Sequence, residues 1–300
     1  SVQLKSDTKW AKAGFEVRHE QFAINDKLSS AFKPAALKTG RQADVKAAEE
    51  WFNAVKPHFY RAPMDNDKGF GNWIAKDWKN NRLDNPEVVT VKPLSSKRNV
   101  DGTVTVAVTQ ECRYVNGKIT ADYLYTMDAY GSVDFKAVYT PEGQLPPLPC
   151  VGNTFVLDKD MTQLSWYGRG LQDSYVDRLE ATSIGRWTSS VPQEYVHYPH
   201  PQSSGNHEQT VTLSLTTAKG KGYTVTTADG EPFSFSALPY SEAQLSTVAH
   251  DCDLQAEDNV YLNIDALMMG LGNSSCGPGV LTKYSVPQEP HTLHLMFTRK

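Results

Sequence analysis

Hydrophobic and polar residues alternate with a period of two along most of this chain. Residues 103–109 (TVTVAVT) do so directly after the turn pair Asp101-Gly102. Residues 122–128 (DYLYTMD) repeat the pattern after Asn116-Gly117, and residues 132–140 follow Gly131. Residues 210–216, 223–227, 233–237 and 292–298 continue the series. Successive side chains on a strand point to opposite faces, so each run offers one apolar face to a core. Short alternating runs separated by Gly, Asn, Asp and Pro predict antiparallel sheets packed face to face. The fold class is therefore all-β: a large antiparallel β-sandwich with a few short helices.

Three stretches depart from that period. Residues 44–55 predict a helix, with Asp44 as cap, Ala47 and Ala48 favouring it, and Trp51, Phe52 and Val55 as an apolar stripe. Residues 73–83 predict a shorter one, with Ile74 and Trp78 four apart. In 241–250, Ser241 and Gln244 have capping-box spacing. All three are expected to pack on sheets or loops. Residues 141–149 (PEGQLPPLP) are stiffened by proline, which suits either a linker between domains or a rigid connection between two sheets of one domain.

The length of 300 residues fits one large β domain or two smaller ones. A net charge of -4, with Lys and Arg scattered, offers no basic face for nucleic acid. Apolar runs fall far short of the ~20 residues that cross a bilayer, and residues 1–5 carry no basic-then-apolar leader. Compartment is left open. Cys112, Cys150, Cys252 and Cys276 lack close metal-ligand spacing, so buried free thiols are expected, with one disulfide as the alternative. Fourteen tyrosines and six tryptophans suit sugar recognition, but large sandwiches also stack aromatics in their cores.

The chemistry-bearing signal lies outside the strands. RAPMDNDKG (61–69) joins a proline and an Asp-Asn-Asp cluster to Gly69, a combination that suits a tight, side-chain-bonded turn with positive φ at the glycine. WYGRGLQDSYVDR (166–178) places Asp177 beside Arg178, an expected ion pair ordering a Gly-rich loop. PQSSGNH (201–207) and YLNIDALMMGLGNSSCGPG (261–279) complete the set.

In this order the motifs resemble the carboxy-terminal, small-chain region of a glycoside hydrolase family 2 β-galactosidase. The resemblance runs from about Pro57 to the end. Residues 11–22 are similar to the last strands of the immunoglobulin-like domain that precedes it, which implies a remnant at 1–28 and the β-domain proper at 29–300. It implies a supersandwich like that of galactose mutarotases. Asp65, Asn66, Asp67 and Gly69 match a mobile loop bordering the sugar pocket, Gly69 its hinge, although Asp65 and Asp67 suit a scaffold role. Ser275 and Cys276 match the loop that reaches the neighbouring catalytic domain. Cys276 stands where better-known members carry a pocket-wall tryptophan, and a thiol buried between loop and sheet is the alternative.

Several positions depart from the family pattern. Leu171 replaces a proline, Asp173 a glutamate, and Ser203 stands where an acid normally sits. Residues 25–55 are shorter than the family's opening strands and partly helical in character, so either a helix covers an incomplete sheet edge or the segment is irregular.

Retaining glycosidases need two carboxylates about 5 Å apart. The resemblance places both on a (β/α)8 barrel, and nothing here alternates strand and helix over the required length. The reading is a non-catalytic module that completes the active-site wall of a parent enzyme acting on a galactoside. Its partners would be the catalytic barrel of the same polypeptide and further copies in a homo-oligomer. The parent's magnesium and sodium ions would be held by other domains. The alternatives are an aldose mutarotase using His207 and Glu208, and a carbohydrate-binding module presenting Trp73, Trp78, Trp166 or Trp187 on one face.

Overall fold

The computed structural model describes residues 1–18, 21, 33–38, 40–69 and 74–300. The strands begin with β1 (Val2–Gln3), β2 (Glu16–Arg18), β3 (Val55–His58), β4 (Glu87–Arg98), β5 (Val104–Arg113) and β6 (Gly117–Met127). They continue with β7 (Val133–Gly143), β8 (Cys150–Asp158), β9 (Gln163–Gly170), β10 (Ser183–Ser190), β11 (His207–Thr210) and β12 (Thr212–Thr216). The series closes with β13 (Gly222–Thr227), β14 (Phe233–Leu238), β15 (Asn259–Met268) and β16 (His291–Arg299). Helices α1 (Val45–Trp51), α2 (Asp65–Lys68), α3 (Ile74–Asn80) and α4 (Glu242–Thr247) interrupt them.

A nine-stranded antiparallel sheet, in the order β10-β9-β12-β13-β16-β7-β6-β5-β4, faces a five-stranded one, β11-β14-β15-β8-β3. Every alternating run in the sequence lies on one of these strands. Pairing Tyr125 with Phe135 across β6 and β7 sets their rings on one inner face. Phe155 of β8 meets them from the other sheet, 4.9 Å from Phe297 between ring centroids. This aromatic seam is the centre of the core. Residues 141–149 lead from β7 in one sheet to β8 in the other, so they are the rigid inter-sheet connection and not a domain linker.

The five-stranded sheet stops at β3, short of the nine-stranded one, and α1 fills the difference. Asp44 caps it by accepting from the N–H groups of Lys46 and Ala47. Trp51 then wedges between the sheets, with Tyr125, Phe135, Phe155 and Phe297 all within 6.0 Å of its ring centroid. Tyr125 Oη donates to Ala48 O at 2.7 Å, holding the helix from its other side. Of the two accounts of residues 25–55, the covering helix is the one seen from residue 45 onward. The rest of that stretch lies partly outside the described residues, as do the 28/29 boundary and Trp73. β1 and β2 form a separate two-stranded sheet.

Two expectations need correction. Cys112 and Cys150 are buried free thiols, but Cys252 and Cys276 are exposed, because one sits on a short 3-10 turn and the other on a loop, not on strands. Among the described residues the aromatic platform does not form: Trp78 and Trp166 are buried and Trp187 is half-buried, while Trp73 lies outside them. Trp78 donates its indole N–H to Pro147 O at 2.8 Å, anchoring α3 on the inter-sheet connection. No helix among the described residues is long and apolar enough to cross a membrane.

Candidate functional site

The four motif segments leave their strands and meet around one cavity of about 290 Å³. After β3 the chain contributes Met64, Asp65 and Asn66; after β9, Asp173 and Tyr175; before β11, Gln202 and Ser203; after β15, Leu271 and Ser275. Tyr198, on no motif, completes the lining. Residues separated by more than two hundred positions are thus brought together by loops that leave β3, β11 and β15 of one sheet and β9 of the other.

The site is assembled around Arg61. Its guanidinium is fully buried and grips Asp67 through two parallel bonds, Nη2 to Oδ1 at 2.7 Å and Nε to Oδ2 at 3.1 Å. The same side chain donates to Met269 O at 2.9 Å and to Gly270 O, tying the loop after β15 to the turn after β3. Asp67 also accepts the N–H of Met64 at 3.0 Å, closing the first turn of α2 on itself. Asp67 is therefore wholly engaged in scaffolding. Asp65 is exposed, and its backbone N–H donates to Gln202 Oε1 at 2.8 Å.

Asn66 is the crosspiece between the two loops. Its Nδ2 donates to Gly272 O at 2.8 Å, and its Oδ1 accepts from Ser275 Oγ at 2.5 Å and from Ser275 N at 3.3 Å. Gly69 ends α2 with φ 57° and ψ 179°, a backbone region open only to glycine, and donates to Asp65 O at 2.9 Å. Cys276 is exposed on the same loop as Ser275, which removes the buried-thiol alternative for it.

Asp177 and Arg178 do not pair with each other as expected. Successive side chains diverge, and each takes a different polar group of the 270–273 loop. Asp177 accepts the N–H of Leu271 at 3.0 Å and of Gly272 at 2.8 Å. Arg178 donates to Gly272 O and, at 3.1 Å, to Asn273 Oδ1. A Cβ on Gly270 would stand 2.8 Å from the Asp177 carboxylate carbon, so that glycine is what permits the clamp.

Burial pushes the Asp173 carboxyl above the usual carboxylate range, with His207 pulling the other way. Ser203, in the place of an acid, donates to Glu242 Oε1 at 3.1 Å, and Glu242 also accepts the Ala62 N–H at 2.5 Å. Glu242 and Tyr198 had no motif to mark them; only the fold brings them here.

His207 and Glu208 face apart. His207 is buried against Trp166 and Phe235 and bonds Glu194 Oε2 at 2.6 Å. Glu208 turns to Asn206 Nδ2 at 3.1 Å, and burial pushes its carboxyl up to about 8. An acid and a base on opposite sides of a strand do not address one ring oxygen, and the mutarotase alternative is not favoured.

Magnesium and sodium want several oxygen ligands. Among the described residues, the group of three or more His, Cys, Asp or Glu close enough to hold an ion is His58, Cys150 and Asp265, whose thiol does not suit either.

The chain is similar to β-galactosidases throughout. It is 27% identical to that of Priestia megaterium over 91% of this chain and 28% of the relative. It is 28% identical to that of Streptococcus thermophilus (90% and 28%) and 29% identical to that of Kluyveromyces lactis (87% and 24%). It thus spans about a quarter of the length of these curated relatives. Among solved structures it is similar to a putative aldose 1-epimerase from Escherichia coli at 11% identity and a TM-score of 0.36, covering 70% of this chain and 69% of that one. The family model for the beta galactosidase small chain matches residues 32–298. The chain belongs to the β-galactosidase small-chain family.

Proposed function

We propose that this chain is the non-catalytic small-chain module of a β-galactosidase, forming part of the wall of the galactoside site and helping to assemble the parent enzyme. The observation that carries the reading is the meeting of four sequence-distant motifs around one cavity. The charged residues that brace the lining from behind are spent on scaffolding: Arg61 on Asp67, Asp177 on loop amides, Arg178 on the Gly272 carbonyl. Such an arrangement fixes the shape of a wall and leaves bond breaking to groups brought by another domain.

On this reading the partners are the catalytic barrel of the same polypeptide and further copies of the parent, and the cavity faces the galactoside. Magnesium and sodium belong to those other domains. Gly69 takes the hinge position of the loop on this reading. Cys276, where a tryptophan would offer a flat face, gives a less apolar wall and weaker stacking on the sugar. The test is direct. Purified chain should hydrolyse a chromogenic β-galactoside no faster than a buffer blank, and turnover well above that blank would end the reading.

A further inference from the structure

Behind the cavity lining, where Cys150 packs with Met64 and Tyr175, three side chains that do not themselves line it are enclosed together. His58 ends β3, Cys150 begins β8, and Asp265 lies on β15; these are consecutive strands in the order β15-β8-β3. His58 is 4% exposed and the other two are 0%. His58 Nδ1 lies 2.7 Å from Asp265 Oδ1, and its Nε2 lies 3.8 Å from Cys150 Sγ. Gly152 makes the room: a Cβ there would stand 2.5 Å from Asp265 Oδ1.

We propose that His58, Cys150 and Asp265 form a binding site for a zinc-type, borderline-soft divalent cation. One atom from each residue lies within 4.8 Å of the others. Two ligands of one tetrahedral zinc, bonded at about 2.1 Å and 2.3 Å, stand about 3.6 Å apart. Because Asp265 and Cys150 face opposite ring nitrogens of His58, one nitrogen takes the ion, and shifts of roughly 1 Å bring the three residues to bonding distance.

A second observation points the same way. Asp265 Oδ2 is buried without a hydrogen-bond partner, an acceptor that costs stability unless a cation or donor meets it. A divalent ion answers the thiolate and the carboxylate together and leaves the enclosed cluster neutral, which a medium of low polarity demands. The mixed imidazole, thiolate and carboxylate set selects zinc over magnesium or calcium.

Of the three, His58 also lines a cleft of about 540 Å³ beside β3, the side from which an ion would enter. Binding forms the metal–sulfur bond as the S–H bond breaks, and that proton leaves to solvent through the cleft. Within the fold the ion would tie three adjacent strands at the end that feeds Arg61 and α2. The proposal does not depend on the parent's activity.

The test uses the whole chain stripped with a chelator and titrated with zinc, then with cobalt(II) as an optical substitute. One equivalent should bind, raise the melting temperature and give a sulfur-to-cobalt charge-transfer band in the near-ultraviolet. Cys150→Ser, a near-isosteric change that should fold, should lose the band and the melting shift; His58→Gln should lose the shift as well. The exposed histidines His197, His200 and His250 are the competing surface ligands. A cobalt spectrum without thiolate character, zinc affinity unchanged in Cys150→Ser, or no binding at all would each overturn the proposal.

Discussion

Replacing Asp67 by asparagine keeps the side chain's shape and removes its charge. The partner, Arg61, is 0% exposed and Asp67 is 1% exposed, so the guanidinium would be left as an uncompensated buried cation. Breaking one partner of such a pair costs about 3–5 kcal/mol, far more than an exposed pair would. For a chain this large, roughly 2 °C of melting temperature accompanies each kcal/mol. The expected fall for Asp67→Asn is therefore about 6–10 °C, read by differential scanning fluorimetry and by urea titration at constant m-value. Asp65→Asn is the control: that residue is exposed, two positions away, and should stay within about 0.5 kcal/mol of wild type. Equal effects of the two substitutions would refute the claim that the turn is held by Arg61 and not by its surface carboxylate.

Other outcomes are equally open to measurement. Gly270→Ala should destabilise by roughly 1–3 kcal/mol in urea unfolding, because its Cβ must displace the Asp177 carboxylate from the amides it holds. Trp51→Ala should cost about 3–5 kcal/mol, since the ring is wedged between the sheets where few neighbours can collapse into its space. Glu208 has its carboxyl raised to about 8, so the folded state holds a proton that the unfolded chain gives up near its ordinary value. Stability from this group is present below that ordinary value and is lost as pH rises toward 8. Glu208→Gln should remove about 2 kcal/mol of that decline, half the full figure for three to four units because the side chain is only half-buried. A thiol reagent should modify two cysteines of the native chain quickly, Cys252 and Cys276, and four after denaturation; fast modification of all four in the native chain would contradict the buried setting of Cys112 and Cys150.

The sheets were legible because period-two alternation survives any tertiary arrangement that buries one face. Strands β5, β6, β7, β13 and β16 fall where the alternation placed them, and Asp44 caps α1 as its position suggested. Where the sequence was ambiguous, the ambiguity was physical. Proline stiffens residues 141–149 whether they join domains or sheets, and only the pairing of β7 and β8 into different sheets decides it. The Asp177–Arg178 pair misled because adjacency in sequence is not adjacency in space: each side chain found a better partner among the unpaired amides and carbonyls of residues 270–273. Tryptophan content suggested a sugar platform, yet Trp78 and Trp166 are spent on packing. The cluster of His58, Cys150 and Asp265 was invisible for the same reason that it is compact, since its members come from separate strands with no short spacing to betray them.

The central claim is that the cavity around Asn66 is part of the parent enzyme's galactoside wall. Asn66→Ala removes the bonds to Gly272 and Ser275 without touching the Arg61–Asp67 pair, so the module should still fold. Introduced into the full-length parent, it should lower kcat/KM for a galactoside by about tenfold or more, as the loss of one or two buried hydrogen bonds implies. Wild-type kcat and KM from a parent carrying Asn66→Ala, with the variant's fold intact, would contradict the account.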